Sequence, residues 1–479
     1  MCALIHFTPL HPSPIHPMPL PPSPPSSCDV LVVGAGPAGS ACAQWLARGG
    51  VDVVLVDQQL FPRDKVCGDG LIPDAHHALE RLGVLAEVMA AAQRAQHVGC
   101  IGPRGGRVDV PGRLAVLPRK QLDDILKRAA ERAGARFFAP WRFDAPLLDG
   151  AGDAASVLGA RLQSPGAGTH DIRARWVVLA TGAVPRALMA AGMCRRHTPS
   201  GIALRGYVHH PGLVPQVRAL EVVWHKQLRK GYGWIFPCPD GVFNIGVGLA
   251  HSHAKQADGR STMADVNLRD MLATFARIHA PAGALMAGGT VRGDFKGAPL
   301  RCSLEGVRYS RPGLLVTGEA AGSTYAFTGE GIGKAMETGL LAADAVLGGQ
   351  TLAAAAAAHA MPDAPSNMPA VPAVPAVAAI SAGPAGPAVH AVHDASAAPT
   401  VSSVCATYDA ALLALKPRFD LYERANRVNE FPWLADLLIW RARHSPRILR
   451  RMEGVLEETG NPGNLVSLRG LTRLFLPLR

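Results

Sequence analysis

Apolar and polar positions along the chain fall into a few legible stretches. Cys28-Asp29-Val30-Leu31-Val32-Val33 is a short apolar run of β-branched character, the mark of a buried strand. A glycine turn and an Ala-rich stretch, Ser40 to Arg48, follow and predict a helix. A second apolar run, Asp52 to Val56, predicts another strand and ends at Asp57. Arg119 to Ala133 sets Leu122, Ile125, Leu126 and Ala129 on one face of an amphipathic helix, with Gly134 beyond it as a C-terminal cap. Trp176 to Ala180 and Leu314 to Val316 are further buried strands, the second leading to a glycine-rich helix start at Gly329. Between Tyr207 and Leu249, short alternating or apolar runs are split by Gly and Pro, which predicts an antiparallel sheet.

Two stretches carry no usable period. Met1 to Ser27 is rich in Pro and His and reads as an unstructured leader. Thr351 to Ser402 is Ala/Pro/Ser-rich and nearly uncharged, and reads as a disordered insertion, because such a composition buries too little apolar surface to offset ordering entropy. From about Ala406 the sequence is helical and basic to its end.

Composition narrows the class. The 479 residues are 48% hydrophobic and 18% charged, enough for two or three folded regions. The formal charge of +11 favours anionic partners without choosing among cofactor phosphates, acidic membranes and nucleic acid. Nine scattered cysteines with no C-x-x-C spacing argue against a disulfide framework or a metal site and suit a reducing cytosol. No transmembrane helix is expected, since the most apolar long stretch, Met368 to Val389, is broken by five prolines. The leader has neither the basic start nor the uninterrupted apolar run of a signal peptide.

Four motifs carry chemistry. Gly34-Ala35-Gly36-Pro37-Ala38-Gly39 is a complete G-x-G-x-x-G between a strand and a helix, the loop that lets backbone N–H groups approach a pyrophosphate. Asp57, eighteen residues after Gly39, stands where a carboxylate takes the hydroxyls of an adenosine ribose. Val178-Leu179-Ala180-Thr181-Gly182 and Leu314 to Gly322 are strands ending in small-residue turns. Both look like segments that flavin enzymes carry, a likeness that implies FAD rather than NAD and places Thr181, Gly182, Gly318 and Glu319 near the cofactor, although Glu319 stands where that pattern has Asp. Thr328-Gly329-Glu330-Gly331-Ile332-Gly333 opens a helix whose N-terminus, at Gly329, Gly331 and Ile332, can face the flavin ring and stabilise charge gained on reduction. Arg63 and Arg119 are partners for FAD phosphates or ribityl oxygens, or else members of surface salt bridges.

Together these segments resemble the flavoprotein family of p-hydroxybenzoate hydroxylase, the flavin-dependent halogenases and the geranylgeranyl reductases, and within it most closely the geranylgeranyl reductases. The resemblance spans about Asp29 to Leu347. Arg63-Asp64-Lys65-Val66-Cys67-Gly68 is similar to that branch's R-x-K-x-C-G segment, and Tyr232-Gly233-Trp234-Ile235-Phe236-Pro237 with Gly246-Val247-Gly248 to its Y-x-W-x-F-P…G-x-G. The resemblance implies an α/β fold, with a Rossmann-type FAD-binding domain in two parts (28–190 and 290–350) around an antiparallel-sheet substrate domain (191–289). A leader (1–27), the insertion (351–402) and a basic helical C-terminal region (403–479) complete the chain. It places Cys67 and Gly68 beside the flavin, and implies a reductase of isolated C=C bonds in a polyprenyl lipid. Electrons would come from NAD(P)H or reduced ferredoxin, since no second G-x-G-x-x-G exists.

Tyr232, Trp234 and Phe236 alternate, so they share one face of a strand, followed by Pro237. They form either a slot for a prenyl tail or ordinary sheet core. Cys67 and Tyr232 are the candidate proton donors, and a buried cysteine is alternatively just a small hydrophobe. The C-terminal arginines, interleaved with Leu438, Ile439 and Trp440, suit a peripheral membrane contact or a solvated face packed on the flavin domain. Location is accordingly expected in the cytoplasm or at the inner face of the membrane. Aromatic monooxygenation or halogenation is the competing chemistry, though W-x-W-x-I-P is missing. A third reading, electron transfer to membrane quinone, lacks the usual cysteine cluster for Fe–S. Nucleic acid is not an expected partner.

Overall fold

The computed structural model describes residues 21–152, 155–196, 198–228, 230–250, 266–348 and 401–462. The expected insertion, up to residue 400, and the first twenty residues of the expected leader lie outside them. Sixteen strands form two sheets. The first runs in the order β15 (Ser310–Arg311), β16 (Leu314–Val316), β9 (Gly168–Leu179), β1 (Ser27–Val33), β2 (Val53–Val56) and β6 (Arg136–Phe138). From β16 to β6 the neighbours are parallel, and a meander of β7 (Arg142–Asp149) and β8 (Ser156–Ser164) joins at β9. The second sheet runs β14 (Thr290–Leu300), β10 (Gly201–His209), β13 (Val242–Ala250), β12 (Tyr232–Pro237), β11 (Leu220–Val223), β4 (Gln93–Ile101), β5 (Arg107–Val116) and β3 (Gly70–Leu71). All its pairs are antiparallel except β11 with β4.

Twelve helices pack on these sheets among the described residues. They are α1 (Pro37–Arg48), α2 (Pro73–Arg81), α3 (Leu85–Ala91), α4 (Arg119–Arg132), α5 (Arg186–Ala190), α6 (Leu268–Ile278), α7 (Ala280–Gly288), α8 (Ile332–Val346), α9 (Val401–Ala425), α10 (Arg427–Glu430), α11 (Trp433–Arg443) and α12 (Pro446–Leu456).

Val30 to Val33 are buried because helices cover both faces of a parallel sheet, which is why β1 reads as an unbroken apolar run. Pro37 opens α1 at the one turn where a missing N–H costs nothing, and the indole N–H of Trp45 ties that helix to Asp344 of α8 at 2.7 Å. The second sheet is covered on both sides. One face, through Ile235, Phe243 and Ile245, packs on Phe275 of α6 and Leu285 of α7. The other, through Cys100, Val108 and Val110, packs on Leu434, Leu438 and Ile448 of the C-terminal helices.

The division of the chain differs from the sequence expectation in two places. β3, β4 and β5, inside the expected 28–190 flavin part, belong to the second sheet, and so does β14, which lies beyond the expected boundary at 289. Both departures have a local cause. A register shift between Ala95 and His97 breaks the alternation of β4. β14 is an edge strand, mostly exposed, and it carries Pro299 and three polar residues in its first five. The C-terminal region begins as helix at Val401, two residues before the expected start at 403.

Candidate functional site

A cavity of about 800 Å³ opens between the two sheets, within the range of a site for a cofactor or large ligand. Its first end is the turn after β1. Gly34 has φ +103°, and a Cβ there would lie 2.3 Å from the carbonyl oxygen of Ala180, so only glycine fits. Gly36, Pro37 and Ala38 line the cavity; Gly39 and Gly318 do not, and serve packing instead. A Cβ on Gly39 would strike Gly34 O at 1.8 Å, and one on Gly318 would meet Ala38 Cβ at 2.6 Å.

Two arginines face Gly36, with Nη2 of Arg63 and Arg119 3.6 and 3.7 Å from where a Cβ would stand. Arg119 is 4% exposed, which removes the surface salt-bridge reading for it. Both are held by the fully buried Asp123: Arg119 donates to its two oxygens at 2.6 and 2.8 Å, and Arg63 at 2.9 Å. Asp57 accepts the N–H groups of Ala35 and Gln59 at 2.9 Å each, leaving its carboxylate at the cavity wall. Thr181 also lines the wall, and its buried hydroxyl has no partner among the described residues. Gly182, Glu319, Gly329, Gly331 and Ile332 line it as well, with Glu319 paired to Lys65 at 2.7 Å.

The turn at Cys67 and Gly68 brings this end against the aromatic face of β12. A Cβ on Gly68 would lie 3.1 Å from the ring of Phe236 and 3.7 Å from Trp234 Nε1; one on Gly329 would touch the Tyr232 hydroxyl at 2.6 Å. Tyr232, Trp234 and Phe236 follow one another with ring centroids 6.1 and 6.4 Å apart, and all three line the cavity. Pro237 does not; it stands one step out of that alternation. Gly246 pairs directly with Trp234, and a Cβ there would sit 2.3 Å from the indole, so the G-x-G of β13 makes room for the ring.

A buried polar chain, not anticipated from the sequence, fixes this turn. Asp69, fully buried at φ +64°, accepts from the Tyr207 hydroxyl at 2.5 Å and from Asn244 Nδ2 at 2.7 Å. Asn244 also donates to Cys67 O at 2.7 Å and accepts the Trp234 indole N–H at 2.9 Å. Burial pushes the Asp69 carboxyl up to about 6, against Arg205, Tyr207 and Asn244, which favour its charge. Burial also raises the Cys67 thiol, which is therefore protonated at neutral pH. Tyr232 is raised for the same reason, and its hydroxyl donates to Thr328 O at 2.8 Å.

The first end suits FAD. It joins a glycine turn at a helix start, paired arginines, a carboxylate at the wall and a threonine hydroxyl without a partner among the described residues in one cradle. Residues 27–226 match a family model described as an FAD binding domain. The menaquinone reductase of Mycolicibacterium smegmatis is 34% identical over 342 residues, 67% of this chain and 76% of that protein. The chain belongs to the geranylgeranyl reductase family of flavoproteins.

Digeranylgeranylglycerophospholipid reductase 1 of Methanopyrus kandleri is 27% identical over 318 residues, covering 66% of this chain and 79% of that one. A geranylgeranyl bacteriochlorophyll reductase-like protein from Thermoplasma acidophilum shares the fold, with a TM-score of 0.60 at 18% identity, over 94% of this chain and 96% of that one. The protein is an FAD-dependent oxidoreductase of the reductase type. Of the residues missed in the sequence, Lys65 lies inside the family's R-x-K-x-C-G segment and Asp69 directly follows it. Asp123 stands four residues after Arg119 on α4, a spacing that pairs opposite charges. Asn244 carried no local signal.

Beyond the aromatic face the cavity continues. Val98, Cys100 and Val110 of the second sheet form one side, and Leu438, Ile439 and Met452 of α11 and α12 the other. The helical C-terminal region is thus a wall of the site. Among the described residues no helix is long and apolar enough to cross a membrane.

Proposed function

We propose that the protein reduces isolated C=C bonds in the isoprenoid tail of a membrane lipid. The observation that carries this is the continuous apolar chamber leading away from the flavin end. A tail laid along it gains roughly 25 cal/mol per Å² buried, enough to hold a substrate with few hydrogen bonds. The names of the relatives agree: a menaquinone and a digeranylgeranylglycerophospholipid differ in head group and share an isoprenoid chain.

Gly36, Arg63 and Arg119 would hold the pyrophosphate of FAD, Asp57 its ribose, and Thr181, Glu319 and the start of α8 the flavin end. When bound and reduced, FAD supplies hydride. The chain's own residues do the rest. Trp234, held by Asn244, and Phe236 set the alkene's distance from that end and exclude water. Cys67, a neutral thiol beside them, holds a proton for the second carbon, with Tyr232 as the other candidate. Electrons would come from NAD(P)H docking transiently or from a protein donor such as reduced ferredoxin.

A second reading, reduction of a quinone ring, is favoured by the menaquinone reductase relative. One anaerobic experiment separates the two. Chemically reduced enzyme is given a geranylgeranylated lipid and, separately, menaquinone, and products are weighed after air is admitted. Tail reduction leaves a permanent gain of two hydrogens per bond; ring reduction reverses in air. Trp234→Ala should lower tail reduction far more than flavin content. A lipid that gains no hydrogen, with a quinone reduced only reversibly, overturns the tail assignment.

A further inference from the structure

We infer that the outer face of α10 to α12 is a docking surface for an anionic lipid bilayer, seated on Phe431, Trp433 and Trp440. α11 is apolar on two opposite sides. Leu434, Leu438 and Ile439 face inward and are buried, whereas Trp433 and Trp440, seven residues apart and so on one face, are 58% and 50% exposed. Phe431, just ahead of the helix, is 49% exposed. A helix apolar all round is normally buried; here its outer half meets water.

Charge identifies the occupant. Between Arg424 and Arg451 the chain carries seven arginines against two carboxylates, Glu430 and Asp436. Asp436 is already engaged, accepting the Arg104 N–H at 3.1 Å. Arg424, Arg427, Arg443, Arg450 and Arg451 are exposed on the same run of helices as the aromatic residues. Indole rings flanked by arginines suit the boundary between headgroups and acyl chains, where the ring is half-immersed and the guanidinium meets phosphate. A protein partner would require acidic complementarity without explaining the large amphipathic rings.

The location fits the substrate reading, on which this functional meaning rests. The inner faces of the same helices line the apolar chamber, through Ala435, Leu438 and Ile439 of α11 and Met452, Val455 and Leu456 of α12. One layer of helix therefore lies between the docking face and the space for the tail, so a lipid would have only a short passage through water.

The test uses the full-length, flavin-loaded protein and vesicles of phosphatidylcholine with or without phosphatidylglycerol. Sedimentation should show binding to the anionic vesicles only, weakening as salt is added. Trp433→Ser with Trp440→Ser should release the protein. Arg443→Gln, Arg450→Gln and Arg451→Gln together should weaken binding on the order of a hundredfold, about fivefold per arginine. Both variants should keep their flavin and their turnover of detergent-dispersed lipid while losing turnover of vesicle-embedded lipid. Docking is overturned if the wild type ignores anionic vesicles at low salt, or if both variants bind as it does. It is equally overturned if the tryptophan variant converts a dimer to a monomer, which would make the face a contact between copies. No lipid turnover in any form, with anionic vesicle binding and its loss in the variants intact, would support docking and sink the substrate assignment alone.

Discussion

A Cβ on Gly36 would meet no protein atom closer than Arg63 at 3.6 Å, so the fold itself does not require glycine there. Its backbone is extended at φ −76°, open to any residue. Gly36→Val should therefore fold with a melting temperature close to wild type yet purify colourless, because the branched side chain fills the approach to the pyrophosphate; a yellow variant sinks the assignment of that loop. Asp69 offers a pH-dependent counterpart. Its carboxyl is raised from 3.8 to about 6, so the folded state favours the protonated form. That contribution is full below the ordinary value and is lost as pH rises through about 6, amounting to at most about 3 kcal/mol. Asp69→Asn mimics the neutral form and should gain on wild type in melting temperature across that window; a constant difference would show that Asp69 does not titrate there. At this scale the glycine loop and Asp57 were legible because backbone geometry dictates them locally. Asp69 and Asn244 were not, since the bond between them spans 175 positions in sequence.

Alternation in β12 announced its shared aromatic face, yet left open whether that face was slot or core; only the opposing elements decide. Those elements are β4, β5, α11 and α12, and two of them carry a mixed signal. β4 is interrupted by a register shift, and α11 is apolar on both sides, so its basic, tryptophan-bearing half obscures the half that walls the cavity. The wall makes a prediction of its own. Leu438→Trp adds bulk to the apolar chamber on a helix that already carries two tryptophans, and should shorten the longest isoprenoid chain accepted. Turnover measured against lipids of increasing tail length should fall for long chains and persist for short ones. Equal loss at every length would mean that the chamber does not hold the tail.

Beside the apolar packing of the C-terminal helices, two clusters of specific contacts tie the molecule's parts together. Lys334 of α8, 4% exposed, contacts Glu337 and Glu458 at 2.7 Å and Asp74 at 3.8 Å, and so joins the flavin part to the end of the C-terminal wall. Tyr422 adds a hydroxyl bond to Val455 O at 2.7 Å and a parallel stack on Tyr325 at 3.9 Å. Lys334→Met should leave the buried Asp74 without its cation and Glu458 with Arg418 alone, at a cost of about 3–5 kcal/mol, read as a lower midpoint in chemical denaturation. A midpoint within error of wild type would show that the cluster is compensated elsewhere.

The passage of the chain between its two sheets also has a consequence for synthesis. The second sheet takes β4 and β5 from residues 93–116 but is complete only when β14 ends at Leu300, and the first waits for β16 at Val316. The helices that cover β4 and β5 arrive only with Leu456. At ribosomal speeds of about 5–20 residues per second, the apolar faces of those two strands wait tens of seconds for their own cover. The nascent chain emerges with the floor of its apolar chamber bare until those helices close over it.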